Sequence, residues 1–249
     1  MKVSVITVSF NAAGSIAATL KSVLEQTYKN IEYIVVDGDS SDGSKKIIKQ
    51  YETKISKVII EPDNGLYDAM NKGLSRASGD IICFLNANDV YVSNDIIETV
   101  VKLFQTKKIE VLMGDVGFSR RLNSKRIWRR YRSATFRPSK LSWGWMPAHP
   151  AFFLHKAVVD RVGCFNTKYK IAADFDYVIR VFNATEVRYF CFPKIMVLMS
   201  AGGKSDKLTN KLILNREVLN ACRMNGLKSN IFKILSKYPI KVLEYFFVK

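Results

Sequence analysis

The chain of 249 residues is long enough to bury a sizeable core, and its content of 48% hydrophobic and 24% charged residues excludes an intrinsically disordered protein. Its 39 lysines and arginines outnumber its 22 aspartates and glutamates, which gives a net charge of +17. A charge of this size indicates a polyanionic partner, which could be a nucleic acid, an anionic membrane surface or a phosphate-bearing substrate. Composition alone does not choose among these three.

Cysteine usage and the apolar segments predict the compartment. The four cysteines (Cys83, Cys164, Cys191 and Cys222) are scattered without a paired spacing, which favours a reducing environment. The first residues, MKVSVITVSFN, lack the apolar core and cleavage site of a signal peptide. No apolar run approaches the roughly 18 residues that a transmembrane helix needs. We therefore expect a cytoplasmic protein.

Residues 1–115 alternate between strand and helix patterns. Strands are predicted at 3–10, 31–38, 57–62 and 80–85, and helices after the first strand and at 40–52, 65–77 and 93–104. This alternation predicts an α/β fold with a mostly parallel sheet, joined by right-handed crossovers and covered by helices on both faces. Ligands of such sheets bind at the carboxyl ends of the strands.

Polar side chains stand at those carboxyl ends. Asn11, Asp37, Asp63 and Asp89 each follow a predicted strand. Asp37 is suited to accept a hydrogen bond from a nucleotide base or ribose. Asp89 is suited to hold Mg²⁺ or Mn²⁺, because these hard cations prefer carboxylate oxygen, and the same cation would bind a diphosphate leaving group. The first half of the chain therefore predicts a nucleotide site.

Residues 116–205 lose this regularity. They contain a basic stretch (119–132), an aromatic and proline-rich stretch (143–153) and a helical pattern (172–182), and they end in a glycine loop (200–205). From about residue 206 the pattern is helical to the end of the chain. No internal repeat is visible.

Five segments occur in an order that resembles a known family: VSVITVSFN, VVDGDSSDGS, EPDNGLYDAMNKGL, SGDIICFLNAND and AADFDYVIRV. They are similar to the motifs of family 2 glycosyltransferases, and most similar to bacterial members that build surface polysaccharides. The resemblance covers residues 1–205 and implies a GT-A (Rossmann-like) domain, with a nucleotide-sugar-binding half at 1–115 and an acceptor half at 116–205. Residues 206–249 would form a basic, amphipathic helical tail.

The resemblance also implies roles for individual residues. Thr7, Ser9 and Asn11 would line the nucleotide pocket, Asp37 would bind the base, and Asp63 and Asn71 would lie around the base and ribose. Asn88 and Asp89 occupy the position of the family's DxD-like element, with Asp89 as ligand of Mn²⁺ or Mg²⁺. Asp174 matches the catalytic base. Where the family often has two adjacent acids, this chain has a neutral asparagine before Asp89, so we expect metal binding to be weak without nucleotide.

The implied reaction is a metal-dependent, inverting transfer of a sugar from a nucleotide-sugar to a hydroxyl of a glycan acceptor. The resemblance favours a UDP-sugar as donor and a lipid-diphosphate-linked acceptor in the biosynthesis of O-antigen, capsule or exopolysaccharide. Only one catalytic carboxylate is needed, because the acceptor itself is the nucleophile. Donor sugar, acceptor, linkage and oligomeric state are not readable from the sequence.

Each of these residues also has a purely structural interpretation. Asp37 and Asp63 could serve turns, since Asp, Asn and Gly dominate turns, and Asn71 could lie on a solvated helix face. Asp174 and Asp176 both precede a helix, whose positive end favours acids; we assign the helix-supporting role to Asp176.

Two further residues stay open between a ligand role and a structural one. His149 could contact the diphosphate or the acceptor, or it could form a hydrogen bond within its own packed loop. The loop 200–205 could close over the donor with Lys204 near phosphate, or it could be a plain turn.

The basic segments leave alternatives open. In 226–249, apolar residues fall on one helical stripe and Lys233, Lys237 and Lys241 on another, with Pro239 predicted to kink or split the helix. Such a helix either lies on an anionic membrane, giving a peripheral enzyme on the inner face of the plasma membrane, or packs on the domain.

Two other classes of protein compete with the transferase. The sequence KRIWRRYR would suit a nucleic-acid-binding protein, but no nucleic-acid-binding motif accompanies it and we expect no nucleic acid partner. A nucleotidyltransferase on a related fold requires a glycine-rich phosphate loop with a basic residue near the N-terminus. The segment VSFNAAGS does not contain such a loop.

Overall fold

The computed structural model describes residues 1–119, 127–183, 186–200 and 208–238, with side chains from residue 210 onward in the last range. Within these ranges one sheet of nine strands forms the centre of the protein. The strands are β1 (Val3–Ser9), β2 (Ile31–Asp37), β3 (Lys57–Ile60), β4 (Ile81–Phe84), β5 (Asp89–Tyr91), β6 (Val111–Ser119), β7 (Ile127–Tyr131), β8 (Phe152–His155) and β9 (Tyr189–Ser200). They lie in the order β3-β2-β1-β4-β8-β6-β9-β5, with β7 paired to β6.

Helices connect and cover the strands. They are α1 (Ile16–Leu24), α2 (Ser44–Gln50), α3 (Leu66–Arg76), α4 (Ile96–Lys107), α5 (Lys156–Val162), α6 (Ala173–Asn183), α7 (Leu208–Met224) and α8 (Ile231–Leu235). Short 3₁₀ turns occur at Glu52–Lys54, Pro138–Trp143 and His149–Ala151. None of the helices in the described ranges combines the length and apolarity that crossing a membrane requires.

The first half of the sheet is parallel, as the sequence predicts. β2 and β4 both pair with β1 in parallel, and β3 pairs in parallel with β2. The register places Ser9 beside Asp37 at the carboxyl ends of β1 and β2. The second half is mixed, because β8 runs antiparallel to β4 and β6 while β9 is parallel to β6 and antiparallel to β5.

Apolar side chains fill both faces of the sheet. Neighbouring residues of β1 point to opposite sides, so that Val5 joins the core beneath α1, α2 and α4 while Ile6 joins the core beneath α3, α6 and α7. Both residues are fully buried. The predicted arrangement of helices on both faces is therefore confirmed.

The C-terminal region is helical, as expected, and through residue 238 it packs on the domain. Val218 and Cys222 of α7 and Ile234 of α8 are buried in the same core as α6. Lys237, predicted to lie on a charged stripe, is 3% exposed. Residues 239–249, which include Pro239 and Lys241, lie outside the described part of the chain.

Candidate active site

Asp37 forms the centre of a tight network at the end of β2. Its two carboxylate oxygens accept hydrogen bonds from the backbone N–H and the hydroxyl of Ser40, both at 2.8 Å. The same hydroxyl oxygen accepts the N–H of Asn11 at 2.8 Å, and the Asn11 side chain accepts the N–H of Ser41 at 3.0 Å. Asn11 adopts a φ of 48°, which asparagine tolerates better than most residues. The network fixes the loops after β1 and β2 against each other.

The two hydroxyl residues of β1 have different environments. Thr7 is fully buried and donates to the carbonyl oxygen of Leu85 at 2.7 Å, so it joins β1 to the end of β4. Ser9 is also buried, and its hydroxyl has no hydrogen-bond partner within the described residues. A buried hydroxyl without a partner is costly, so Ser9 is the better candidate for contact with a ligand.

Asp63 lies against the turn that contains Asp37. A Cβ added at Gly38 would lie 2.1 Å from Oδ2 of Asp63, so the Asp63 carboxylate in this position lies directly against the Gly38 backbone. The other oxygen, Oδ1, accepts the N–H of Gly65 at 2.8 Å. The structure therefore brings Asp37 and Asp63 together as predicted, with turn hydrogen bonds at both residues.

Asn71 does not face a nucleotide pocket with free hydrogen-bonding groups. Its amide nitrogen donates to the carbonyl oxygen of Phe165 at 2.9 Å, and its amide oxygen accepts the N–H of the same residue at 2.8 Å. The side chain therefore fixes the segment that precedes α6 onto α3. The contact with base or ribose stays a prediction, and it would use the second amide hydrogen or the remaining lone pair of the amide oxygen.

The segment after β4 carries the predicted metal-binding element. Asp89 begins β5 and is 3% exposed, whereas its neighbour Asn88 is exposed. Burial raises the pKa of the Asp89 carboxyl to about 8. Asn86, three residues earlier, has a buried amide oxygen with no partner in the described structure. Asn86 was not among the predicted site residues, although its place in the same turn as Asp89 was a usable signal.

The donor atoms around Asp89 are suited to a divalent cation only in part. No cluster of three or more His, Cys, Asp or Glu side chains with metal-binding geometry exists among the described residues. One carboxylate (Asp89) and two amides (Asn86 and Asn88) remain, and all three provide the oxygen donors that Mg²⁺ and Mn²⁺ prefer. Because the raised pKa of Asp89 means that this carboxyl must lose a proton when a cation binds, the set fits a cation that is shared with the phosphates of a ligand.

Asp174 lies in the first turn of α6 and is partly buried. Its Oδ1 accepts the N–H of Phe175 at 2.8 Å and lies 3.2 Å from the hydroxyl of Tyr67 on α3. Burial is the main reason that its pKa is raised to about 6. A carboxylate with this pKa is ionised at neutral pH and basic enough to accept a proton from a bound hydroxyl.

Asp176 has a different environment from Asp174. One oxygen pairs with Nε of Arg180 at 2.9 Å and the other accepts the side-chain amide of Asn225 at 2.9 Å. The side chain is 4% exposed. Asp176 therefore joins α6 to the segment after α7, which agrees with the helix-supporting role expected for it.

His149 packs between aromatic rings. Its ring centroid is 5.7 Å from that of Phe84 and 6.1 Å from that of Phe165. Burial lowers its pKa to about 4, so the imidazole is neutral at physiological pH. Its Nε2 atom is buried without a hydrogen-bond partner among the described residues. The ring therefore packs on β4 and on the segment before α6, and the nitrogen without a partner in the described structure remains a candidate for a ligand contact.

Two basic segments lie partly or wholly outside the described residues. Lys204 belongs to the segment 201–207, which the structure does not describe. Residues 120–126 of the basic stretch are not described either. Of that stretch, Arg130 pairs with buried Asp115 through Nε and Nη2 at 2.9 and 2.7 Å. The charge of Arg130 is therefore committed to a neighbouring carboxylate.

The family model of glycosyl transferase family 2 matches residues 4–164, and the chain belongs to this family. An uncharacterized glycosyltransferase of Mycobacterium tuberculosis is 33% identical over 180 residues, which cover 72% of this chain and 68% of that protein. A PGL/p-HBAD biosynthesis glycosyltransferase of Mycobacterium bovis is 28% identical over 218 residues, covering 86% of this chain and 82% of the relative.

Solved structures share the fold. Staphylococcus aureus TarS 1–349 in complex with UDP-GlcNAc has a TM-score of 0.71 at 17% identity, with 96% of this chain and 72% of that chain covered. The mannosyltransferase PcManGT of Pyrobaculum calidifontis, in complex with GDP-Man and Mn²⁺, has a TM-score of 0.66 at 20% identity, with 94% and 68% covered. The predicted GT-A fold is confirmed, and the protein is a glycosyltransferase.

Proposed function

We propose that this glycosyltransferase moves a sugar from a UDP-sugar to a hydroxyl of a glycan acceptor with inversion at the anomeric carbon. The observation that carries the proposal is the environment of Asp174, whose carboxylate is partly buried, has a pKa of about 6 and is contacted by Tyr67. Tyr67 lies on α3, four residues after Asp63 in the chain. The segment from Asp63 to Tyr67 therefore lies at the predicted nucleotide-binding end of the sheet and also contacts Asp174, the predicted catalytic base.

The proposed reaction is a single displacement. Asp174 accepts the proton of the acceptor hydroxyl, whose oxygen attacks the anomeric carbon from the face opposite the nucleotide. The bond between that carbon and the diphosphate oxygen breaks, and UDP leaves with the electron pair. A glycoside hydrolase, in contrast, uses a pair of carboxylates that flank the bond.

The loops after β1 and β2 would bind the nucleoside. The Asp37 oxygens already accept two hydrogen bonds from Ser40, but carboxylate oxygens have further lone pairs for the imide N–H of a uracil. The unpartnered hydroxyl of Ser9 and the side chain of Asp63 lie beside it and are suited to the base or ribose. The UDP-GlcNAc complex of TarS, which shares the fold, supports a uridine nucleotide.

Asn86, Asn88 and Asp89 would hold Mn²⁺ or Mg²⁺ together with the donor. The cation would neutralise the charge that develops on the departing diphosphate. The Mn²⁺ complex of PcManGT supports metal dependence. The neutral imidazole of His149 is a further candidate to donate or accept a hydrogen bond at the phosphates or acceptor.

We further propose that the acceptor is lipid-diphosphate-linked and that the enzyme works at an anionic membrane surface on the cytoplasmic side. The supporting surface, which we call the α8 face, is formed by Phe232, Leu235 and Trp143, exposed by 81%, 43% and 44%. Nζ of Lys233 lies 5.3 Å from the Trp143 ring centroid, and residues 226–238 contain no acid. Exposed aromatic and apolar side chains beside lysines suit an anionic lipid interface.

A ligand screen tests the proposed function. The protein would be heated in the presence of UDP-, GDP- and dTDP-sugars with Mn²⁺, and we expect UDP-sugars to raise the Tm most, because a ligand that binds only the folded state stabilises it. Asp174→Asn should keep this stabilisation and lose sugar transfer. Salt-sensitive binding to random oligonucleotides without stabilisation by any nucleotide-sugar would instead support the nucleic-acid alternative.

A further inference from the structure

Glu217 reaches from α7 to the backbone just before α6. Its Oε1 accepts the N–H of Lys170 at 2.8 Å, and its Oε2 accepts those of Ile171 and Ala172, both at 2.9 Å. Helix α6 begins one residue later, so part of this set belongs to the N–H groups that a helix cannot satisfy internally. A residue distant in sequence thus supplies the acceptor that a capping side chain would normally provide.

The opposite side of the same turn is held by Tyr67. Its hydroxyl donates to the carbonyl oxygen of Ile171 at 2.5 Å and lies 3.2 Å from Oδ1 of Asp174. The peptide groups around Ile171 are therefore fixed from α7 through their N–H atoms and from α3 through a carbonyl oxygen. Asp174 follows this turn by three residues, so its position depends on both contacts.

We propose that Glu217 is a positioning residue that holds Asp174 in its reactive orientation, so that α7 is part of the catalytic apparatus. The inference rests on the proposed role of Asp174 as base. It extends the functional part of the chain beyond residues 4–164, which the family model matches. It also gives the C-terminal region a function besides contact with a surface.

The negative charge of Glu217 should affect the pH dependence of kcat/KM, because it acts on the pKa of Asp174. Among the described residues, the titratable side chains that act most strongly on Asp174 are Tyr67 from α3 and Glu217 from α7. Burial is the largest cause of the raised pKa of Asp174, and the negative charge of Glu217 adds to it. Removing that charge should lower the pKa of Asp174 and move the acid limb of kcat/KM to lower pH.

The test compares Glu217→Gln with the wild type in release of UDP from a UDP-sugar. Two carboxylate oxygens serve three donors, whereas glutamine turns an NH₂ group toward at least one of them. We expect kcat to fall by about 10- to 100-fold, the loss typical of a small misplacement of a reacting group. The donor KM and the stabilisation by UDP should stay unchanged, and the acid limb should move to lower pH.

Arg223→Gln is the matched control, because Arg223 lies on the same helix and lines the same groove between α6 and α7. Its activity should stay within about twofold of the wild type. A folded Glu217→Gln protein with wild-type kcat and an unmoved acid limb would overturn the proposal. If UDP did not raise the Tm of the wild-type protein, that result would instead count against the proposed function.

A second variant and a measurement on the wild type cover the case in which Glu217→Gln does not fold. Glu217→Asp keeps the charge but shortens the side chain, so kcat should fall while the acid limb stays in place; wild-type kcat would contradict the proposal. Hydrogen exchange on the unmodified protein should show protected amides at residues 170–172, and fast exchange there would overturn it as well.

Discussion

The hydroxyl of Tyr67 lies 3.2 Å from Oδ1 of Asp174 and donates to the carbonyl oxygen of Ile171. One side chain thus connects α3, which follows the turn at Asp63, with the first turn of α6. Donor and acceptor chemistry have to occur at neighbouring atoms in a sugar transfer. The Tyr67 contact, together with the hydrogen bonds between Asn71 and Phe165, fixes the start of α6 against α3.

Tyr67→Phe removes the hydroxyl that lies between the carbonyl oxygen of Ile171 and Oδ1 of Asp174, and it keeps the ring in its core. We expect kcat to fall by about tenfold, because Asp174 loses a contact that orients it. The Tyr67 hydrogen bond lowers the pKa of Asp174, so its loss should raise that pKa and move the acid limb of kcat/KM to higher pH. The measurement is the pH profile of UDP release.

The shift for Tyr67→Phe is opposite to that expected for Glu217→Gln. Tyr33→Phe is a useful control, since Tyr33 is a buried tyrosine whose hydroxyl contacts Thr7 at 3.0 Å, with no contact to Asp174. If the pH profile of UDP release were unchanged in Tyr67→Phe, the contact between Tyr67 and Asp174 would not affect the pKa of Asp174.

The raised pKa of Asp174 also predicts a pH-dependent gain of stability in Asp174→Asn. Burial raises the pKa from 3.8 to about 6, so the folded protein disfavours the ionised form. The resulting cost appears as the pH rises through this interval and is fully present above pH 6. Asparagine removes it, so the Tm of Asp174→Asn should exceed that of the wild type at pH 8, and the two should converge near pH 4. Equal Tm values at pH 8 would contradict the assignment.

Asn88→Asp tests the interpretation of the metal-binding element. It places a second carboxylate at the exposed position beside Asp89, and the charge of the ligand set strongly affects affinity for hard cations. We expect the nucleotide-free variant to bind Mn²⁺ about tenfold more tightly than the wild type, measured by calorimetry. Asn64→Asp, at another exposed asparagine, should leave Mn²⁺ affinity unchanged. Tight Mn²⁺ binding to the nucleotide-free wild type would contradict the expectation of weak binding.

The α8 face predicts vesicle binding by the intact chain. The double variant Phe232→Ser and Leu235→Ser removes two exposed apolar side chains, and we expect it to float less with vesicles that contain phosphatidylserine. Ile60→Ser is the matched control, because Ile60 is 45% exposed on β3 at the far edge of the sheet. Equal flotation of wild type and double variant would exclude this face as the contact.

The parallel half of the sheet could be predicted because its sequence obeys local rules. Each of β1, β2 and β4 is a short apolar run with turn residues after it, and amphipathic segments follow. The helix that carries Asp174 was equally visible from its apolar period. In contrast, none of β5 to β9 was predicted. β5 and β8 have only three and four residues, and β6 and β9 pair with each other although they are far apart in the chain, so no local alternation of strand and helix marks them.

The site was predicted less completely than the fold, for a related reason. Residue types at strand ends indicate which side chains are near one another, and Asp37 with Asp63 met that expectation. Hydrogen-bond partners depend on distant segments, as the pairing of Asn71 with Phe165 and of Glu217 with residues 170–172 shows. No local pattern marks such contacts, so neither the pairing of Asn71 with Phe165 nor the role of Glu217 could be predicted from the sequence.

The most direct test of the proposed reaction is the turnover of Asp174→Asn with a UDP-sugar and Mn²⁺. Asparagine has nearly the same shape but cannot accept the acceptor proton, so UDP release should fall by about 10²- to 10⁴-fold while the UDP-induced rise in Tm is retained. Slow UDP release with an unchanged rise in Tm would show that the variant has lost the catalytic base but still binds UDP. Turnover near the wild-type rate in the folded variant would contradict the assignment of Asp174 as the catalytic base.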